Sequence, residues 1–344
     1  MRCATIDAVI RRLVLAAALA LFASAAPGQV TERQPKTPAE LQRQSGHVWD
    51  LAMPTRVDAV RPQKTKAFRR AIDDFRAGKG DFRRDVTVSW GEFLSGTGKP
   101  FLALSLDRPV DADLEPGAKA TLFGEIVDAA GSAIAGFEVE DQVELASGRS
   151  VVDAALPLPA AAARMVVGIA LRGQVRWLVE QALDVTPIDA NAFTLSRPIL
   201  SLDVHPMAKP QRPDDPFTFG GLRVVPRGDR AFRAADQPWL FVVARTPGSA
   251  PDAVPALTAK LAITGPRVDQ EEGKVRRYPI SGLAPAPLRG FDNQWGLGIP
   301  LPVGELPPGE YEATLEVADK GTGTTASAAA IFTVAGPEPV ASRR

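Results

Sequence analysis

The sequence predicts an all-β protein, and three observations support this fold class. Apolar and polar residues alternate over short segments, which is the pattern of strands that bury one face. Glycine and proline are frequent, at 29 and 31 of 344 residues, and they separate these segments with turn signals. The end of the chain combines both signals in one hairpin. The same density of turn residues excludes a largely helical protein.

The hairpin occupies residues 306–334. In its first strand every second residue is apolar and the residues between them are acidic or carry a hydroxyl; the apolar positions are Tyr311, Ala313, Leu315 and Val317. The segment 319–323 contains Gly321 and Gly323, which can adopt the positive φ of a tight turn. A second strand is predicted from Thr325 to Val334, so the two strands form a β-hairpin.

The start of this hairpin fits the spacing Leu-x-Pro-Gly-x-Tyr, formed by Leu306, Pro308, Gly309 and Tyr311. This spacing is typical of the tyrosine corner of immunoglobulin-like β-sandwiches, in which the Tyr hydroxyl bonds to an upstream backbone group. An ordinary strand aromatic is the alternative, and the Pro-Gly turn favours the corner. We therefore assign structural roles to Pro308, Gly309 and Tyr311, and predict two immunoglobulin-like β-sandwich domains in tandem.

Residues 1–25 have the features of an export signal. Arg2, Arg11 and Arg12 precede an apolar run over residues 13–22, and Ala23-Ser24-Ala25 follows as a small-residue cleavage site. The run is shorter than the roughly 20 residues of a transmembrane helix. We predict cleavage near Ala25, a periplasmic or extracellular location and no stable membrane span after cleavage. An uncleaved N-terminal anchor is the alternative.

The only cysteine, Cys3, lies within this signal. A mature chain that begins after Ala25 would therefore have no disulfide and no thiolate metal site. Its stability would depend on packing alone.

Residues 26–80 are predicted to form an extended arm that contains a helix at 64–77. The arm is polar and has no sustained period up to about residue 62. In the helix, apolar residues at i, i+3, i+4 and i+7 form one stripe: Phe68, Ala71, Ile72 and Phe75. Gly78 is placed to end it. The other face is basic. We interpret it as a solvated face, which is the commoner case, with nucleic acid or lipid binding as the alternative.

Two β units are predicted after the arm. The first spans residues 81–187 and the second spans 198–335, with a linker at 188–197 and a flexible tail at 336–344. Each unit shows short strands, a Pro-Gly turn and a closing hairpin, so the two resemble a loose internal duplication. A Pro-rich insertion over 206–238 is the least regular part.

This arrangement resembles the C-terminal β-sandwich region of secreted bacterial proteins of the GWxTD-domain type. The matching residues form the start, the turn and the close of the last hairpin: Leu306, Pro308, Gly309, Tyr311, Asp319, Gly321, Phe332 and Val334. The resemblance covers about residues 85–335, and the defining Gly-Trp-x-Thr-Asp motif is absent from the sequence. The resemblance implies an exported location and a β-sandwich fold more than it implies a chemical activity.

No catalytic or cofactor motif stands out in the sequence, and no cofactor is expected. A hydrolase triad needs a histidine beside a nucleophile, and the two histidines are His47 in the arm and His205 before Pro206. No Gly-x-Ser-x-Gly elbow is present. A zinc site is disfavoured by the same shortage of ligands.

Calcium needs only oxygen ligands, and three acidic loops are candidate sites. They are residues 111–115, Asp214-Asp215 and residues 269–272. None matches an EF-hand loop, and acidic residues also collect in exposed loops for solvation. Paired carboxylates for sugar hydrolysis need no closeness in sequence, and nothing in the sequence selects a pair.

Aromatic residues in loops suggest two candidate binding surfaces. Trp295 lies in a turn-rich loop, and Phe217, Phe219 and Arg223 lie in the Pro-rich insertion. Trp177 and Trp239 follow strand patterns and are assigned to the core. Packing inside the fold is the default interpretation for all four candidates, and a binding surface is the hypothesis to test.

The charges are balanced, with 40 basic and 40 acidic residues, so no net field recruits nucleic acid or an anionic membrane. Two function classes remain. The first is an exported non-enzymatic binding or scaffold module, whose partner is another envelope or extracellular protein, or a carbohydrate. Sheet edges that accept an added strand favour it. The alternative is a hydrolase of carbohydrates or peptides with a carboxylate-based site on sandwich loops.

Overall fold

The computed structural model describes residues 56–336 except 96–97, 111–113, 186–187, 190, 208–211, 213, 220, 248–253, 267–274, 281–284 and 289–292. The predicted signal, His47, most of the arm and most of the tail therefore lie outside the described residues. So do the acidic loop at 269–272 and the two aspartates of the loop at 111–115. Within the described part of the chain, no helix is long and apolar enough to cross a membrane.

The described residues fold mainly into β-strands, which confirms the all-β class. One helix, α1, spans Lys66–Arg76, and short 3-10 turns lie at Val57–Ala59 and Val303–Glu305. The strands are β1 (Thr87–Leu94), β2 (Pro100–Pro109), β3 (Lys119–Val127), β4 (Ala133–Gln142), β5 (Glu144–Ala146), β6 (Arg149–Pro157), β7 (Arg164–Leu171), β8 (Gln174–Ala182), β9 (Thr194–Leu195), β10 (Ile199–Ser201), β11 (Asp203–Pro206), β12 (Thr218–Phe219), β13 (Leu222–Val225), β14 (Ala231–Phe232), β15 (Trp239–Arg245), β16 (Leu257–Thr264), β17 (Val275–Pro279), β18 (Ala286–Pro287), β19 (Gln294–Pro300), β20 (Gly309–Asp319) and β21 (Thr324–Val334).

The first eight strands form two antiparallel sheets. Sheet A has the order β1-β2-β6-β5, and sheet B has the order β4-β3-β7-β8. Their side chains share one apolar core, in which Leu102, Leu104, Leu122 and Trp177 have no exposed surface. Alternation along each strand places these residues on the facing sides of the two sheets.

Helix α1 packs on sheet B through the stripe that the sequence predicted. The ring of Phe68 stacks on Phe123 at a centroid distance of 4.3 Å, and Ile72 is fully buried. Gly78 follows the helix with a φ of 67°. On the basic side of the helix, Arg76 pairs with Glu125 at 2.8 Å, so part of the charge is neutralised within the fold.

The later strands form three more sheets. Sheet C has the order β10-β15-β19-β18, with β9 also pairing with β15; sheet D has the order β11-β13-β12; sheet E has the order β14-β21-β20-β16-β17. Sheets C and E share a second apolar core that includes Leu240, Leu297 and Leu315. The predicted hairpin is β20–β21, whose register runs without a shift from Gly309↔Val334 to Asp319↔Thr324.

Tyr311 makes the bond that its motif predicts. Its side chain is fully buried, its ring stacks on Phe332, and its hydroxyl donates to the carbonyl oxygen of Pro307 at 2.7 Å. Gly309 has a φ of 153°, and a Cβ there would lie 2.5 Å from the Cβ of Pro266. A side chain at Gly309 would therefore displace Pro266, which follows β16.

A third apolar core joins the two predicted β units. It contains Phe93 and Phe101 from sheet A, Phe241 from sheet C, and Phe217 and Phe219 from sheet D and its approach. Strands β2 and β15 are buried on both faces, since each contributes alternate residues to this core and to its own sheet pair. The described residues accordingly belong to one compact unit, and the predicted linker at 188–197 contains strand β9.

Candidate functional site

All four side chains of the two candidate binding surfaces are buried, as the default interpretation of packing inside the fold expects. Phe217 and Phe219 have 0% and 3% of their surface exposed and belong to the core between sheets A, C and D. Trp295 is 4% exposed, and its indole Nε1 donates to the Thr246 hydroxyl at 3.1 Å. A residue in the interior of the fold presents no platform to a carbohydrate or a peptide.

Arg223 is also buried, and it links the two β units through charge. Its guanidinium pairs with Asp153 of β6, donates to Glu144 of β5 at 2.9 Å and donates to the Pro216 carbonyl at 3.0 Å. Burial raises the pKa of Asp153, and the positive charge of Arg223 opposes that rise. The role of Arg223 is therefore structural.

A second buried arginine spans the same boundary. Arg149 of β6 pairs with Asp107 of β2 and with Asp229, which precedes β14, at 2.9 Å for the second pair. Asp107 also accepts a hydrogen bond from the backbone N–H of Gly228 at 3.1 Å. The boundary between the units therefore combines an aromatic core with ion pairs.

The acidic loop at Asp214-Asp215, a candidate calcium site, is occupied by the arm. The two carboxylate oxygens of Asp214 accept the backbone N–H groups of Arg56 and Val57, each at 2.7 Å. The Arg56 side chain pairs with Asp215 and with Asp141 of β4, the latter at 2.7 Å. These carboxylates hold the end of the arm against both units.

The side chain of His205 has one hydrogen-bond partner among the described residues. Its Nδ1 lies 2.8 Å from Oδ1 of Asp203. This bond raises the pKa of His205 and lowers the pKa of Asp203. A triad would need a nucleophile on the other ring nitrogen, and no described side chain bonds there.

The best candidate site is a cleft of about 460 Å³ between the two β units. It lies within the size range of ligand pockets in proteins. Its walls come from the end of β1, the segment 194–198, the ends of β15 and β19, and the middle of β21. These segments belong to sheets A, C and E, so the cleft exists only where the units meet.

One wall of the cleft is a row of three polar side chains on adjacent strands. Arg245 of β15 lies directly opposite Gln294 of β19 and Thr194 of β9 in the strand registers. Residues opposite each other in this way share one face of the sheet, with Cβ atoms about 5 Å apart. We call Thr194, Arg245 and Gln294 the polar row.

The facing wall carries an ion pair. Oε2 of Glu92, on β1, lies 3.7 Å from Nε of Arg197, and the Arg197 guanidinium lies 3.9 Å from the centre of the Trp90 ring. Arg197 also donates to the Asp184 carbonyl at 2.9 Å. Glu92 and Asp184 both line the cleft, and Glu92 lies within ion-pair distance of this arginine.

The third wall is an edge of sheet E. Strand β14 pairs with β21 only at Thr333 and Val334. The backbone N–H of Thr333 donates to the carbonyl oxygen of Arg230 at 2.9 Å, so odd-numbered residues of β21 direct their backbone N–H and C=O groups away from β20. No other described strand pairs with the rest of this edge. The residues whose backbone N–H and C=O groups point outward there are Thr325, Ser327, Ala329 and Ile331.

The chain matches no protein-family model, and a search of curated proteins found no match.

Proposed function

We propose that this protein is an exported, non-enzymatic binding module that holds an extended polypeptide by adding it as a strand to the open edge of β21. In this proposal the two β units are immunoglobulin-like sandwiches, and the partner is another envelope or extracellular protein. The observation that carries the proposal is the edge of β21 that borders the cleft, with which no described strand pairs.

This edge lacks the features that normally protect sheet edges. Such edges usually carry lysine, proline, a bulge or a very short strand, because exposed N–H and C=O groups invite other chains to pair. Residues 324–331 of β21 are uncharged and contain no proline, and their pairing with β20 shows no register shift. Their side chains are small up to Ile331, so the side chains of β21 itself do not cover its backbone.

The position of the edge adds a second argument. Ser327, Ala328 and Ala329 line the cleft, so a strand paired with them would lie partly inside it. In recognition by strand addition, backbone hydrogen bonds supply affinity and flanking pockets supply specificity. The edge and the cleft together provide both components.

The decisive experiment compares two substitutions at one residue. Ala329→Pro removes an outward N–H and is tolerated at an edge, whereas Ala329→Val keeps that N–H and adds a side chain of similar bulk. Each purified protein is passed over bead-bound random peptides, and the retained protein is measured. Thermal unfolding of both variants monitors the fold.

We expect the wild type and Ala329→Val to be retained and Ala329→Pro to lose most of its retention while remaining folded. Equal retention of the proline and valine variants would overturn strand addition at β21, as would failure of the wild type to bind any peptide. Mass spectrometry of the N-terminus of protein from the cell envelope tests the export step, for which a start after Ala25 is expected.

A further inference from the structure

The polar row contains a buried amide with unused hydrogen-bonding capacity. Gln294 is 8% exposed and lines the cleft, and its side chain makes no hydrogen bond to another described residue. A carboxamide has two donor hydrogens and one acceptor oxygen. An amide that lines a cleft and makes no bond within the fold is available to bond a ligand that enters the cleft.

Arg245, beside it in the row, also has spare donors. Its Nη1 donates to the Asp189 carbonyl at 3.1 Å, and no carboxylate of the described residues lies within ion-pair distance. The guanidinium has five N–H donors, so most remain available. The other arginine in the cleft, Arg197, is already paired with Glu92, and the second acidic residue of the wall, Asp184, is exposed.

We infer that the polar row binds a carboxylate of the extended peptide. Arg245 would supply the charge and a two-donor fork, which matches the two oxygens of a carboxylate. Gln294 would donate a further hydrogen bond through its amide, and Thr194 through its hydroxyl. This inference rests on the proposed function, since it names the chemistry that selects among peptides added to β21.

The carboxylate has two possible sources, a peptide C-terminus or the side chain of Asp or Glu. Random peptides on beads, prepared with free C-termini and as C-terminal carboxamides, distinguish them. Retention that depends on the free terminus identifies the first source. Enrichment of Asp and Glu in the retained carboxamide peptides identifies the second.

The test variants are Arg245→Gln and Gln294→Leu, with Arg164→Gln as a matched control. Arg164 is an exposed arginine on sheet B, paired with Glu180 and outside the cleft. A hydrogen bond to a charged group contributes about 1.5–3 kcal/mol, so we expect either test variant to bind carboxylate peptides about tenfold or more weakly. The control should keep the wild-type preference. A wild type without carboxylate preference, or an Arg245→Gln variant that retains it, would overturn the inference.

A second probe separates this inference from strand addition. N-acetylglycine and its amide, N-acetylglycinamide, are too short to pair along β21, and only the first carries a carboxylate. We expect N-acetylglycine, and not the amide, to shift the NMR signal of the Gln294 side-chain amide, which the Gln294→Leu variant identifies. The shift should be lost in Arg245→Gln. If peptides are not retained and this shift occurs, strand addition fails and the carboxylate site stands; no shift at high millimolar concentration overturns the carboxylate site.

Discussion

Replacing Arg223 with methionine should destabilise the protein strongly. The Arg223 side chain is 5% exposed and that of its partner Asp153 is 11% exposed, so the substitution leaves a carboxylate buried without its counter-charge. Breaking a buried pair in this way typically costs about 3–5 kcal/mol. The bond from Arg223 to Glu144 adds little, since Glu144 is 41% exposed and water replaces its partner. Methionine is flexible and close to arginine in volume, so little cavity is created.

The measurement is equilibrium unfolding in urea, followed by tryptophan fluorescence, for the wild type and Arg223→Met. The matched control is Arg164→Met, which removes an exposed pair with Glu180 at 3.1 Å and should cost no more than about 1 kcal/mol. A double-mutant cycle with Asp153→Asn completes the test. The two losses should not add, because each single variant already breaks the same pair. Additive losses, or an Arg223→Met variant as stable as the control, would refute the structural role of Arg223.

Two further predictions concern hydrogen bonds in the later β unit. Tyr311→Phe should lower the free energy of unfolding by about 1–3 kcal/mol, because it leaves the Pro307 carbonyl without its donor, while Tyr278→Phe should change it by less than about 0.5 kcal/mol. Equal losses in urea unfolding would contradict a tyrosine corner. His205 has a raised pKa in the folded state, so the stability from its bond to Asp203 is fully present below its ordinary pKa of 6.5 and is lost as the pH rises through the folded-state value. The difference in urea midpoint between wild type and His205→Gln should therefore shrink with rising pH, and a constant difference would count against this bond.

The parts of the fold that could be predicted from the sequence are those with one face in water. Helix α1 and the β20–β21 hairpin show clear periods of 3.6 and 2, because their outer faces are polar. Strand β15 shows no such alternation, since Trp239 to Ala244 is a continuous apolar run. That run was a signal of burial on both faces. What covers the second face depends on docking between distant segments, which local patterns do not specify.

The same limit applies to Phe217 and Phe219, which the sequence could not place with certainty in the interior. Their Pro-rich surroundings indicate turns, and turns usually lie at the surface. Here the turns return the chain into the boundary between the units, where sheet D fills the space beside Phe93. Only the apolar character of the two phenylalanines themselves pointed toward the interior.

The cleft was missed for a different reason. The sequence singled out Trp295, while the open amide belongs to Gln294, one residue earlier. Neighbouring residues of a strand face opposite sides, so Trp295 points toward the Thr246 hydroxyl and Gln294 toward the cleft. The partners of Gln294 in the polar row come from the predicted linker and from the end of β15, and their alignment follows only from strand register.

The aromatic core between the units has a consequence for how ligand occupancy and folding depend on each other. Separated from each other, the units would expose Phe93 and Phe101 on one side and Phe241 on the other, and burial of each such side chain contributes about 1.5–3 kcal/mol. Each part alone would expose these apolar side chains to water, so the two parts should unfold together. The cleft lies at the same boundary between the units. A ligand in the cleft would bind only the state in which the two units are packed together, so ligand binding would stabilise that state by mass action.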